Sequence, residues 1–130
     1  MSQENVEIVR RSIEAFVADD DAAFRDTLHP EIEWRPFEDS HSPSYGHEGA
    51  VRLMRQWLDT WSEHRFDVED VIDGGDDVLA TVRITGRGQA SGVEVDVRLY
   101  LQFKLRDGGI AYLYEHEDKA EALEAAGLSE

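Results

Sequence analysis

The stretch VEVDVRLYLQFKLR, Val93 to Arg106, alternates with a period of two. Val93, Val95, Val97, Leu99, Leu101, Phe103 and Leu105 take one face, and Glu94, Asp96, Arg98, Tyr100, Gln102, Lys104 and Arg106 take the other. A helix would spread both sets around its circumference, so this is a long strand with one face in a core and the other wet or shared. Upstream the same period holds in Phe66, Val68 and Ile72. After the turn DGGDD it resumes in Val78, Ala80, Val82 and Ile84, which alternate with Leu79, Thr81, Arg83 and Thr85. GRGQASG, residues 86–92, lies between two strands and lacks dinucleotide-binding spacing, so it reads as a hairpin turn.

Downstream, Asp107-Gly108-Gly109 turns the chain into GGIAYLYEHED, Gly108 to Asp118. Strict alternation puts Ala111, Leu113 and Glu115 on one face and Ile110, Tyr112, Tyr114 and His116 on the other. A carboxylate in register with Ala and Leu is either solvated at a strand end or buried deliberately. Alternation does not choose, because Ile110 and the tyrosines are at least as apolar.

The remaining elements are helical. Val6, Val9, Ile13, Phe16 and Val17 recur at three- and four-residue steps, the stripe of an amphipathic helix. Asp19, Asp20 and Asp21 supply turn and N-cap chemistry for a shorter helix with Ala23, Phe24 and Leu28, which His29-Pro30 should end. EIEWR, residues 31–35, reads as a half-buried strand stopped by Pro36. A loop from Phe37 to Tyr45 then leads to Gly46 and a third helix bearing Val51, Met54, Trp57, Leu58 and Trp61. A short helix from about Asp118 to Ala126 closes the chain, with Gly127 placed to end it.

This order predicts one α+β domain over residues 1–130, with helices packed on one side of an antiparallel sheet. There is no Cys, which removes disulfides, thiolate zinc sites and cysteine nucleophiles. Thirteen basic against 29 acidic residues give a formal charge of −16, so nucleic acid and anionic membrane surfaces are poor partners. The polar, acidic start and the lack of a long apolar run predict a soluble cytoplasmic protein. His47-Glu48 has Val51 where a zinc-binding partner His would stand, so no metal is expected.

NVEIVRRSIEAF at the start, the aspartates before a short helix ending in LHP, YGHEG opening the third helix, and LRDGGI followed by DKAEALEAAGL carry a resemblance. Together with the element order they resemble the SnoaL-like family. That family belongs to the nuclear-transport-factor-two-like superfamily, with ketosteroid isomerases, polyketide cyclases and limonene-epoxide hydrolases. The resemblance covers nearly the whole chain and implies a strongly curved sheet with helices on its concave side, forming a cone-like pocket. Counting from Gly108-Gly109-Ile110, the acid that cyclase relatives carry on the last strand falls on Glu115, which would put Ala111, Leu113 and Glu115 on the pocket face. The isomerase's oxyanion donors would fall on Ser12 and Leu101, and its basic Asp near Trp34 or Arg35. The hydrolase's Arg and second Asp would fall on Val82 and Ile84, so neither machinery is carried over.

The resemblance thus makes Glu115 the candidate catalytic acid or base, because a carboxyl lining an apolar pocket is pushed toward neutrality, where proton transfer works best. His41, beside His47 and Tyr45 on the long loop, is a second candidate at the pocket mouth. Phe16, Trp34, Phe37, Tyr45, Met54, Trp57, Trp61, Leu101, Phe103 and Leu113 would form the wall. The expected activity is proton transfer of the isomerase, cyclase or hydrolase type on a small, largely apolar, cyclic or carbonyl-bearing molecule, without metal or organic cofactor. The competing reading is a non-catalytic ligand-binding or assembly domain in which Glu115 is structural. Arg98, Tyr100, Tyr112 and Tyr114 on the opposite sheet face predict a homodimer through that surface.

Overall fold

A computed structural model describes residues 2–36 and 42–128. The elements are α1 (Ser2–Val17), α2 (Asp21–Asp26), β1 (Leu28–Arg35), β2 (Ser44–Tyr45), α3 (Gly46–Asp59), β3 (Trp61–Gly74), β4 (Asp77–Gly88), β5 (Glu94–Arg106), β6 (Gly109–His116) and α4 (Lys119–Ala125). The strands form one curved, unclosed sheet in the order β2-β1-β6-β5-β4-β3. Its long antiparallel ladders follow the two-residue period: Val82 pairs with Leu99, Ala80 with Leu101, and Leu101 with Glu115. Directly opposite residues share a face, but the expected core face of β5 is buried only toward its C-terminal half: Val97 is exposed although its partner Ile84 is buried, and Val93 lies exposed before the strand begins.

The main core lies where α1, α2 and α3 cover one face. Val9 and Ile13 of α1, Phe24 of α2, and Ala50, Val51 and Met54 of α3 pack on Val78, Ala80, Val82, Ile84, Leu99 and Phe103. The α2 start is fixed by Asp20, whose carboxylate accepts from the Ala23 N–H at 3.1 Å. His47, in the first turn of α3, bonds through Nε2 to the Leu28 carbonyl at 2.9 Å and ties that helix to β1.

Four local features depart from the sequence reading. The short helix stops at Asp26, before His29-Pro30, because the Thr27 hydroxyl and amide both bond to the Phe24 carbonyl. β1 then runs through Pro30, where its register shifts, and it pairs parallel to β6 in an otherwise antiparallel sheet. Trp61 is the first residue of β3 rather than the last of α3. Thr60 closes that helix, its hydroxyl donating to Trp57 O at 2.6 Å, while the Trp57 and Trp61 rings still meet at 5.0 Å across the junction. The four-residue aromatic spacing is real, but it joins a helix to a strand. Finally, the β5–β6 register shifts beside Ala111, so Ile110 pairs with Leu105 in the core and Ala111 borders the outer groove. Leu113 and Glu115 keep the inward face, opposite Phe103 and Leu101.

α4 takes the outer side of the sheet. Its Ala122 and Leu123 bury Leu79, with Ile72, Tyr100 and Leu128 around them. Asp118 caps the helix through the Ala120 N–H at 3.0 Å, and Gly127 at φ +71 lets the Leu128 N–H return to Leu123 O. A polar relay joins this helix to the sheet: the Gln102 side-chain N–H donates to Ala125 O at 3.2 Å, so its oxygen is left to accept from His116 Nε2–H at 2.9 Å. The His116 ring also stacks on Tyr114 at 4.1 Å. Burial holds His116 below its ordinary pKa, opposed by the charge of Glu121. Because the folded value is depressed, the unfolded chain binds the proton more readily. His116 therefore costs stability as pH falls through the unfolded value near 6.5. The urea midpoint of the protein is expected to fall between pH 7.5 and 5.5, and part of that fall should vanish in His116→Gln; an identical slope in the variant would contradict this.

Candidate functional site

The concave face and helices α1, α2 and α3 enclose a cavity of about 50 Å³. Seven of the residues expected at the site line it: Phe16, Trp34, Trp57, Leu101, Phe103, Leu113 and Glu115. Phe16 is the hub of the aromatic wall. Its ring meets those of Phe24, Trp34 and Trp57 edge-on at 5.7, 5.9 and 5.6 Å, each contact worth about 0.5–1.5 kcal/mol beyond its buried area. Ser12, Phe24 and Phe66 also line the cavity and were not among the expected residues. Phe66 was findable, because it stands on the inward period of its strand opposite Ile84. Fifty cubic ångströms hold a few waters; an organic ligand needs about 300 Å³ or more.

Glu115 is 7% exposed. Its Oε2 accepts from Trp34 Nε1–H at 2.6 Å, a short bond between residues on neighbouring strands. Their meeting follows from the parallel β1–β6 register, which sets Trp34 beside Leu113, two residues before Glu115 on the same face. An indole N–H can only donate, so the carboxyl oxygen is the acceptor of this bond. The buried Ser12 hydroxyl borders the same cavity. A carboxyl so placed can accept a proton from, or return one to, a molecule against these rings.

The other expected residues lie elsewhere. Phe37 and His41 fall outside the described residues. Tyr45 is 63% exposed, because β2 sets it opposite Glu33, on the face away from Trp34. Met54 is fully buried in the core without bordering the cavity. Trp61 packs behind Trp57, beyond the cavity wall. Among the described residues, no three His, Asp or Glu side chains gather as a metal site.

On the outer face a broad open groove of about 1230 Å³ runs between α4 and strands β5 and β6. Tyr112 and Tyr114 line it with Gln102, Lys104 and His116. Of the residues expected at a dimer contact, Tyr100 is partly covered by the α4 cluster, and Arg98 is held by Glu69 at 2.6 and 3.1 Å. Tyr112 and Tyr114 remain half-buried along the groove.

The fold has close structural counterparts. A SnoaL-like protein from Jannaschia sp. CCS1, named as a candidate polyketide cyclase, aligns with a TM-score of 0.81 at 23% identity, over 98% of this chain and 94% of its own. A nuclear-transport-factor-two-like protein of unknown function from Burkholderia pseudomallei gives 0.78 at 20% identity, over 95% and 97%. A protein of ketosteroid isomerase-like fold from Catenulispora acidiphila, in complex with trimethylamine, gives 0.76 at 14% identity, over 95% and 94%. At these identities the likeness establishes architecture alone. No curated protein matches the chain. No helix among the described residues is long and apolar enough to cross a membrane. The family model of the SnoaL-like domain matches residues 9–113, from the first helix to the inward-facing Leu113 of the last strand, and the chain belongs to that family.

Proposed function

We propose that this protein binds a small, largely apolar, cyclic or carbonyl-bearing molecule in the aromatic cavity, and that Glu115 moves a proton on it without a metal or organic cofactor. The observation that carries the reading is a buried carboxyl that accepts from the Trp34 indole and faces a space walled by rings. The family and its fold support a ligand-binding role. Entry requires the wall to open, and Phe16 and Trp57, both only partly buried, are the side chains to move. Incubating the protein with tetralone in deuterated buffer tests this. Deuterium should enter beside the carbonyl faster than in buffer alone, and exchange at the buffer rate would remove the enzymatic role.

The small cavity favours a second reading, a non-catalytic domain whose own aromatics fill the hollow. That reading predicts saturable binding of no ring compound at the Trp34 indole, whereas the first predicts binding.

The half-buried Tyr112 and Tyr114 support association of two copies through the outer sheet face. Sedimentation at micromolar concentration is expected to give twice the chain mass, and Tyr114→Glu is expected to give the single mass. A wild-type monomer would refute the dimer.

A further inference from the structure

Among the described residues, two buried side-chain polar atoms have no hydrogen-bond partner: Trp61 Nε1 and His64 Nδ1. Orphaned donors and acceptors are uncommon in folded proteins and call for a reason. Both belong to rings packed on Trp57, at 5.0 Å for Trp61 and 6.0 Å for His64. On the other side, Trp57 meets Phe16 at 5.6 Å and Phe66 at 5.0 Å, and all three of these rings line the Glu115 cavity. Trp57, with Phe66, which also meets the His64 ring at 5.8 Å, thus separates that cavity from the orphaned pair.

The sheet register gives the direction. Phe66 lies opposite Ile84 at the cavity wall, and the next inward-facing row pairs His64 with Gly86. At roughly 3.3 Å per residue that row is about 7 Å farther along the strands. Gly86 makes the seat for Trp61: a Cβ there would stand 2.6 Å from the indole Cε3 and 2.5 Å from Glu63 O. A molecule that occupied the cavity and displaced Trp57 would reach the two unpaired nitrogens with its far end.

We infer that the ligand is an elongated, multi-ring or similarly long apolar molecule carrying a hydroxyl at the end remote from Glu115, and that Trp61 and His64 receive this hydroxyl. The inference rests on the reading of the Glu115 cavity as a ligand pocket. A hydroxyl fits because it accepts from the indole N–H and can donate to an imidazole nitrogen. An anion fits poorly. The hollow on the outer side of His64 is lined by Glu63, Glu94 and Asp96, and the arginines around it, Arg65, Arg83 and Arg87, are each already engaged by carboxylates, in a chain of charge −16.

Two stilbenes test this, one with a para hydroxyl on a single ring and one with a para hydroxyl on both. Calorimetry is expected to show the doubly hydroxylated compound binding at least about tenfold tighter, since it alone can pair Glu115 and the buried nitrogens at once, whereas the singly hydroxylated compound leaves one end unpaired in either orientation. In His64→Phe, which keeps a ring in place, that advantage should shrink to about threefold or less. The Trp61 indole proton in the wild-type protein should move farther downfield with the doubly hydroxylated compound than with the singly hydroxylated one, a readout that does not depend on the variant folding. Equal affinities with a displaced Trp34 indole signal and an unmoved Trp61 signal would overturn this inference and leave the pocket reading standing. A Trp61 signal held by one trapped water and unchanged by either compound would overturn it likewise. Failure of both compounds to bind, with Trp34 unmoved, would overturn the pocket reading and this inference with it.

Discussion

Glu115→Gln is expected to lower protein-catalysed deuterium exchange into tetralone by about 10²- to 10⁴-fold, the range that a positioned general acid or base supplies. The substitution is close to isosteric, and the Gln side-chain oxygen still accepts from Trp34 Nε1–H, so the indole keeps its partner. What it removes is the exchangeable proton. The urea midpoint should therefore change little, and the loss should appear in the rate at saturating tetralone rather than in the concentration needed to saturate. Loss of exchange together with loss of fold would assign Glu115 a structural role. Retention of exchange would place the chemistry on another group.

Trp34→Phe is expected to destabilise the protein by about 2 kcal/mol in urea unfolding. The ring replacement preserves most of the contacts with Phe16 and Phe24, at 5.9 and 6.2 Å, but deletes the donor that holds a buried carboxyl. A hydrogen bond contributes about 0.5–1.5 kcal/mol between neutral groups and about 1.5–3 kcal/mol when one partner is charged, so its loss together with part of the indole packing comes to about 2 kcal/mol. A double-mutant cycle with Glu115→Leu, which removes the acceptor, separates these effects. Coupling above about 1 kcal/mol is expected, because the two side chains touch, whereas additive losses would mean that the Trp34 effect is one of packing alone.

Much of the architecture was legible because the strongest signals are local. The two-residue alternation of Val93 to Arg106 became the long strand β5, and the stripe from Val6 to Val17 became α1. The reading failed where a local pattern admits two geometries. Trp57 and Trp61 are four apart and their rings touch, yet the helix ends between them at Thr60. Strict alternation grouped Ala111 with Leu113 and Glu115, the resemblance turned that set inward, and a register shift put Ile110 there in place of Ala111. The side of the sheet on which α4 packs was hidden for a different reason. Its partner Leu79 occupies the outward phase of a strand whose inward phase looked like the whole core, and Ile72, read in phase with Phe66 and Val68, is turned outward by the register shift between Val68 and Asp70, which puts Val71 opposite Ala80 instead. The order of residues also gave no sign that β1 would lie parallel to β6.

The site was legible in the same uneven way. Periodicity placed Leu113 with Glu115, and resemblance chose the inward side for them. The indole that holds the carboxyl stands 81 residues earlier in the chain, and only the sheet register brings the two together. The closeness of the aromatic wall is likewise a packing property. Residue types suited to lining a ligand pocket are equally suited to filling it, and here they leave about 50 Å³.

The central claim is that an apolar ring compound can enter this wall and reach Glu115. The Trp34 indole proton, bonded to that carboxyl, reports such an event directly in a ¹H–¹⁵N spectrum titrated with tetralone. The account predicts a saturable shift of this resonance, altered in Glu115→Gln. A Trp34 signal that stays fixed up to the solubility limit of the ketone would contradict it.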